Sequence, residues 1–131
     1  MIFLLDTNTA IYYFKGMGNV ATRLLAESPS QVGLSAIVEY ELLLGIEKSS
    51  SPAKRRAQLK ALKDAVTYVS FASAEAAQAG RIRAELEQQG TPIGPYDVLI
   101  AASALARGAT LVTHNTREFS RVDGLRLTDW F

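Results

Sequence analysis

The sequence predicts an α/β protein with three layers, a central parallel sheet of roughly four or five strands and helices on both faces. Two observations support this prediction. Short apolar runs alternate with longer helical segments, as in sheets whose strands are buried on both faces. Apolar residues make up 48% of the 131 residues, which is enough for a substantial core. The length suits a single domain that covers residues 1–131.

The individual strands and helices follow from the period of the apolar residues and from the turn residues between them. In the first half of the chain we predict a strand at 2–5, helices at about 9–15 and 20–27, a strand at 32–35 and a helix at 36–48. Thr7 or Asn8 is expected to cap the first helix. The helix at 36–48 is apolar almost all round, so we expect it to be buried.

In the second half of the chain, a loop at 49–52 precedes the remaining elements. We predict a helix at 52–65, a strand at 66–71, helices at 73–89 and 95–107, a strand at 110–113, a turn or short helix at 114–119 and a strand at 125–127. Gly90 and Gly108 close the two long helices. The helix at 52–65 carries a basic run from Lys54 to Lys63, which we expect to form a solvated face.

Composition excludes several classes of site. The chain has no cysteine, which rules out disulfides and thiolate metal sites and fits a cytoplasmic, reducing location. A single histidine, His114, rules out polyhistidine zinc sites and is expected to be an ordinary polar loop residue. No apolar run approaches the roughly 18 residues of a membrane span, and the N-terminus lacks a secretory signal pattern. If four of the 13 acids share one site, the other residues carry 14 basic against 9 acidic side chains, which suits a polyanionic substrate.

Several acidic residues lie where a solvated charge is not expected. Asp6 and Glu118 each follow a strand, so both belong at the carboxyl edge of the sheet, where ligands bind in such folds. Asp97 opens a helix on a face of small apolar residues. Glu41 lies on an apolar helix face, where an ionised carboxylate needs a partner or a metal. Periodicity alone does not choose between Glu41 and Glu39, which lies on the other side of the same helix.

Each acid also has an ordinary interpretation. Asp6 and Asp97 could be helix-capping acids, and Glu41 and Glu118 could be surface acids. If the four converge, they form a site with oxygen ligands only, which is the set that Mg²⁺ or Mn²⁺ prefers.

Four segments carry a resemblance to a known family: "LLDTN", "SAIVEYELLLG", "IGPYDVLIAASALARG" and "LVTHNTREF". In this order and spacing they resemble the PIN-domain ribonucleases, and more narrowly the VapC toxins of bacterial type II toxin–antitoxin pairs, over residues 2–131. The resemblance implies that Asp6, Glu41, Asp97 and Glu118 are catalytic metal ligands. It selects Glu41, which opens the pattern E-L-x-x-G, over Glu39. Many relatives have Asp at the position of Glu118, so its longer side chain could contact the metal through water.

The resemblance also implies small polar residues that orient the acids and their waters. They are Thr7, Asn8, Ser35, Thr113 and Asn115. The implied activity is that of a Mg²⁺- or Mn²⁺-dependent endoribonuclease that cleaves structured RNA such as tRNA and so blocks translation. The implied partners are a second copy of the chain, in a homodimer, and a VapB-like antitoxin.

Two alternatives stay open from the residues alone. The chain could be a catalytically inactive RNA- or protein-binding module, although all four acid positions are filled. It could also be a nuclease or phosphatase that acts on another phosphoester. For substrate affinity, Lys15, Arg117 and Arg121 are candidates because each lies near a site acid in the sequence.

Overall fold

The computed structural model describes residues 1–131 and has the predicted α/β architecture. Its five strands are β1 (Phe3–Leu5), β2 (Val32–Ser35), β3 (Thr67–Val69), β4 (Thr110–Val112) and β5 (Leu127–Thr128). Its helices are α1 (Thr7–Lys15), α2 (Val20–Leu25), α3 (Ala36–Glu47), α4 (Pro52–Ala65), α5 (Ser73–Gln88), α6 (Pro95–Ala106) and α7 (Thr116–Phe119), with a 3₁₀ turn at Pro29–Gln31. None of the helices has the length and apolar character needed to cross a membrane.

All strand pairs are parallel, and the order across the sheet is β3-β2-β1-β4-β5. The chain therefore moves outward from β1 to β3 and then returns to the other side of β1. Because crossover connections are right-handed, this reversal puts the helices between β1 and β3 on one face, and α5 and α6 on the other. The reversal point lies at β1 and β4, whose carboxyl ends form the ligand-binding crevice of such sheets.

Helix α6, which carries Asp97, packs into the hydrophobic core. Ile100, Ala101 and Ala104 of α6 are completely buried, as the apolar face around Asp97 predicted. The small alanine side chains allow the helix to pack close to its neighbours, and α5 and α6 form the most extensive helix pair in the molecule. The body of α6 is therefore fixed in the core, and Asp97 lies partly buried in its first turn.

The expectation that the helix at 36–48 is buried is wrong. Only one stripe of α3 is buried, by Val38, Leu42 and Ile46. On another face, Leu43 and Leu44 are each 45% exposed. The apolar side chains outside the buried stripe are not covered by the rest of the chain. Part of α3 is therefore an exposed apolar surface.

The expected cap of the first helix is also wrong. The helix begins at Thr7, two residues earlier than predicted, and its N-cap residue is Asp6 rather than Thr7 or Asn8. The last strand lies at Leu127–Thr128, slightly beyond the predicted 125–127. The remaining elements agree with their predicted positions to within a few residues.

Candidate active site

Three polar residues lie at the carboxyl ends of the three central strands, at the same edge of the sheet. In the parallel register, Leu4 pairs with Gly33 of β2, and Leu5 pairs with Val112 of β4. Continuing these registers places Asp6 between Ser35 and Thr113. All three are buried, with 4%, 1% and 0% of their surface exposed. The sheet therefore presents a carboxylate flanked by two hydroxyls.

Asp6 is both a helix cap and a site acid. Its Oδ1 accepts a 2.8 Å hydrogen bond from the N–H of Thr9, which closes the first turn of α1. Burial raises the pKa of Asp6, and hydrogen bonds from Thr113 and Thr9 oppose that rise. The capping interpretation and the site interpretation are thus compatible, because Asp6 caps α1 and also interacts with Thr113 at the edge of the sheet.

Asp97 has a different environment. It lies in the first turn of α6, but Gly94 is the N-cap residue and no side chain caps this helix. Burial raises the pKa of Asp97 to about 6, and the charges of Glu41, Asp6 and Glu118 add to the rise. No hydrogen bond lowers this pKa. The other three acids therefore lie close enough to Asp97 for their charges to raise its pKa.

Glu41 and Glu39 face different parts of the molecule. The Thr7 hydroxyl donates a 2.7 Å hydrogen bond to Glu41 Oε1, which ties Glu41 to the residue after Asp6. Glu39 accepts a 2.9 Å hydrogen bond from the Tyr68 hydroxyl and pairs with Lys63 Nζ at 2.6 Å. Glu41 therefore faces the other acids, whereas Glu39 joins α3 to β3 and α4.

The fourth acid is held by a neighbour from its own loop. Asn115 Nδ2 donates a 3.2 Å hydrogen bond to Glu118 Oε2, and the Asn115 N–H donates to Thr113 Oγ1 at 3.0 Å. Thr113 in turn contacts Asp6. A short polar chain thus connects the acid after β1 with the acid in α7.

Two of the five small polar residues do not contact an acid. The Ser35 hydroxyl accepts the N–H of Val38 and caps α3. Asn8 is exposed, and it makes no hydrogen bond to Asp6. Thr9 takes the role expected of Asn8, which the sequence reasoning missed. The spacing Asp6-x-x-Thr9 is the signal that could have found it, because an N-cap acid bonds the N–H three residues on.

Arg121 and His114 each contact another part of the chain. Arg121 Nη1 donates a 3.0 Å hydrogen bond to the Pro92 carbonyl and so fastens the loop before α6. His114 Nδ1 lies 2.8 Å from Asp129 Oδ2, and its ring stacks on Phe131 at 4.4 Å. Arg121 is thus partly a structural residue, and His114 is a polar loop residue as expected.

The donor set fits a hard divalent cation in its chemistry. It contains carboxylate oxygens only, and mutual repulsion within it contributes to the raised pKa of Asp97, which a cation would relieve. The ligand geometry is not preformed, because no three acidic or histidine side chains surround a common point at ligating distance. Asp6, Glu41, Asp97 and Glu118 are the residues that would hold such an ion.

Comparison with known proteins identifies the family of the chain. The family model described as the PIN domain matches residues 3–125, nearly the whole chain. The chain belongs to the PIN-domain family. Among curated PIN relatives, it is 38% identical over 128 residues to the tRNA(fMet)-specific endonuclease VapC of Shigella flexneri. That match covers 98% of this chain and 97% of the relative.

Solved structures of other members of the PIN-domain family have the same fold. The DNA-bound VapBC of Salmonella typhimurium matches with a TM-score of 0.93 and 38% identity, over 100% of this chain and 99% of that chain. VapBC2 of Rickettsia felis, bound to a DNA fragment from its promoter, matches with a TM-score of 0.92 and 34% identity, over 100% of both chains. The fold and the VapC-type membership predicted from the four segments are confirmed.

Proposed function

We propose that this chain is a Mg²⁺- or Mn²⁺-dependent endoribonuclease and the toxin of a toxin–antitoxin pair. The observation that carries the proposal is the crowding of Asp97 by the charges of Glu41, Asp6 and Glu118, which together with burial raises the pKa of Asp97 to about 6. A structural acid would be neutralised by a partner, as Glu39 is by Lys63. Asp97 is instead left without a hydrogen bond or a cation.

The chemistry follows from how each acid is held. A bound divalent ion lowers the pKa of water and stabilises the charge of a scissile phosphate. Thr9 and Thr113 orient Asp6, and Thr7 orients Glu41, so both carboxylates keep their direction when a substrate arrives. Asp97 must lose its proton before it can bind a cation. Direct attack by water on the phosphorus breaks the bond to O3′ and leaves 5′-phosphate and 3′-hydroxyl ends.

We propose structured RNA, most specifically tRNA, as the substrate, with loss of translation as the consequence. The Shigella flexneri relative is named for its specificity for tRNA(fMet), and the two proteins match over nearly their full lengths. The excess of basic over acidic residues outside the four acids supports a polyanionic substrate of this kind.

A VapB-like antitoxin is the proposed inhibitor. An apolar groove of about 520 Å³ runs between α1, α2 and α4, where Leu25 is 77% exposed. Phe14 also lines a smaller cavity beside Glu41. A partner segment with apolar side chains in the groove would bring a following basic residue to the acids, where it could pair with them. The matched solved structures of VapBC support a partner of this type.

A second copy of the chain is the proposed occupant of the exposed side of α3. Leu43 and Leu44 lie there beside Tyr40, whose ring packs at 5.5 Å from that of Tyr96 on α6. The two tyrosines are 46% and 44% exposed, and their hydroxyls are 3.4 Å apart. A large apolar patch of this kind is typical of an interface rather than of free surface.

The test is cleavage of tRNA by the purified chain, with Asp97→Asn as the matched inactive variant. We expect Mg²⁺-dependent products that the variant does not give, and sequencing of RNA ends after brief induction in cells should locate the same sites. Equal cleavage by both proteins would assign the activity to a contaminant. A failure of the wild type to cleave any RNA at saturating Mg²⁺ would favour an inactive binding module.

A further inference from the structure

A cavity of about 300 Å³ lies directly beside Glu41, between α1, α3 and the start of α4. Its apolar wall is made by Ile11, Phe14, Leu42 and Ile46. Its polar rim is made by Lys15, Glu41, Ser49 and Arg55. The cavity therefore combines an apolar surface, an aromatic ring and two cations next to a site acid. Its volume is at the lower end of the range for ligand sites, which suits one small group rather than a long segment.

Gly45 keeps this cavity open. A Cβ built at this position would meet nothing within 4 Å. Alanine would therefore fit without a clash. A glycine inside a helix costs about 1 kcal/mol relative to alanine, so packing does not account for Gly45. The space that it leaves belongs to the cavity.

The two cations on the rim have no carboxylate partner. Three other basic residues of the run in α4 are ion-paired: Arg56 with Glu47, Lys60 with Asp64 and Lys63 with Glu39. Lys54, the remaining one, is exposed and does not line the cavity. Arg55 instead donates to the neutral Gln58 amide at 2.9 Å, and Gln58 donates to the Phe14 carbonyl. The guanidinium is thus positioned by a neutral group and keeps its full charge for a ligand. Lys15 lies on the same rim without an ion pair.

We propose that this cavity binds one unpaired nucleotide of the RNA, adjacent to the scissile phosphate. The base packs against Phe14 and the apolar wall, and its phosphate binds Arg55 and Lys15. Proteins that recognise RNA loops bind splayed bases against aromatic side chains in this way, and arginine binds phosphate through paired hydrogen bonds. Glu41 lies at the rim, so the next phosphate along the strand reaches the acids.

The proposal rests on the endoribonuclease function and narrows its substrate class. The RNA must have an unpaired nucleotide next to the cleavage site, as in a loop, because a base held in a duplex cannot enter the cavity. A fully paired version of the same sequence should therefore be a poor substrate.

The first test needs no catalysis. The full-length chain in EDTA is titrated with the four nucleoside 5′-monophosphates and, separately, with inorganic phosphate, and backbone amide shifts are followed by NMR. We expect at least one nucleotide to shift Gly45, Ile46 and Arg55, and Gly45→Leu to abolish these shifts. Gly80→Leu is the matched control, because Gly80 is also an interior helix glycine with open space but does not line this cavity.

Three outcomes of the titration would overturn the proposal. The first is the absence of shifts at the cavity with all four nucleotides. The second is an identical pattern with inorganic phosphate, which would reduce the site to a phosphate contact. The third is equal nucleotide binding by the Gly45→Leu and Gly80→Leu proteins. Should Gly45→Leu not fold, Arg55→Gln and its neighbour Arg56→Gln provide the same comparison at the rim.

The second test uses cleavage kinetics on two RNA hairpins that differ only in whether the nucleotide beside the scissile bond is paired. Arg55→Gln should raise KM for the unpaired hairpin about tenfold, since a charge-assisted hydrogen bond is lost, and should lower kcat much less. Arg56→Gln should change neither value by more than about twofold. Equal KM effects for Arg55→Gln and Arg56→Gln would exclude a phosphate contact at Arg55. If the wild type cleaves neither hairpin, the endoribonuclease function fails, whereas the titration in EDTA still decides whether the cavity binds nucleotides.

Discussion

Thr7 and Glu41 are joined by a 2.7 Å hydrogen bond between the threonine hydroxyl and Glu41 Oε1, across 34 residues of sequence. The bond connects the start of α1 to α3 at the point where both reach the carboxyl edge of the sheet. It also fixes the direction of the Glu41 carboxylate. Thr7 thereby acts on the acids through Glu41, in the way that residues behind a metal ligand orient it.

Replacement of Thr7 by valine tests this contact. Valine keeps the shape of threonine and removes the hydroxyl, so the fold should be retained while Glu41 loses its direction. We expect Mg²⁺ affinity, measured by calorimetry, to fall about tenfold, the lower part of the range for such neighbours. Asn8→Ala is the control, because Asn8 is exposed and does not contact Asp6. Equal affinities for the Thr7→Val and Asn8→Ala proteins would mean that the hydrogen bond does not orient a ligand.

The four acids are not expected to contribute equally to catalysis. Asp6→Asn, Glu41→Gln and Asp97→Asn should each reduce kcat by at least about a hundredfold. Glu118→Gln should reduce it less, because the longer side chain is held by Asn115 and suits a contact through water. Single-turnover cleavage at saturating Mg²⁺ measures all four. A loss at Glu118 as large as that at Asp97 would make Glu118 a direct ligand.

Glu39 is the control for the choice of helix face, although its replacement should affect the stability of the fold. Glu39→Gln should leave cleavage nearly unchanged, since Glu39 faces away from the other acids. It should lower the melting temperature by a few degrees, because its ion pair with Lys63 is lost and its hydrogen bond with Tyr68 is weakened. Thermal unfolding and cleavage of the same preparation separate the two effects. Equal catalytic losses at Glu39 and Glu41 would show that the wrong face of α3 has been assigned.

The sequence predicted the acids more reliably than it predicted their neighbours. Asp6 follows an apolar strand and Asp97 opens a helix of small residues, and both features are local. How much of α3 is buried depends on which other elements pack against it, and a local pattern does not contain that information. Leu43 and Leu44 were therefore expected to be buried, but they are exposed. The choice of Glu41 over Glu39 required either the family resemblance or the contacts with Thr7 and Lys63.

Burial alone does not identify a site acid, as Glu75 shows. It is 3% exposed, but it accepts the Ala72 N–H at 3.2 Å and lies 3.8 Å from Arg107. Glu75 has a cation near it, as a structural acid does, whereas Asp97 has neither a hydrogen bond nor a cation. Partners that are distant in sequence decide this distinction, and no local pattern in the chain encodes them.

Cleavage should depend on metal and pH together. The Asp97 carboxyl has a pKa of about 6 without metal, so below that pH a proton competes with the cation for it. We expect the Mg²⁺ concentration that gives half-maximal activity to rise as pH falls from 7 to 5, and excess EDTA to abolish cleavage. Activity profiles at several Mg²⁺ concentrations measure the shift. Activity that persists in EDTA, from a preparation free of other nucleases, would exclude the metal mechanism.

The raised pKa of Asp97 also predicts an effect on the stability of the fold. Its pKa rises from 3.8 in the unfolded chain to about 6 in the folded protein, so ionisation of Asp97 destabilises the fold. The contribution of Asp97 is most favourable below pH 3.8 and is lost as pH rises through about 6. The loss is on the order of 2 kcal/mol after allowance for solvent screening. The favourable interaction of the charge with the α6 dipole, about 0.3–1 kcal/mol, is smaller.

Asp97→Asn should therefore raise the melting temperature in EDTA at pH 7 while it reduces activity. At pH 4 most of this advantage should disappear, because the wild-type carboxyl is then largely protonated and resembles the amide. With saturating Mg²⁺ at pH 7 the order should reverse, since the wild type gains binding free energy that the variant partly lacks. Melting curves of both proteins under these three conditions decide the matter. If Asp97→Asn is clearly less stable than the wild type in EDTA at pH 7, the helix dipole outweighs the repulsion, and Asp97 is mainly a capping acid rather than the centre of a crowded site.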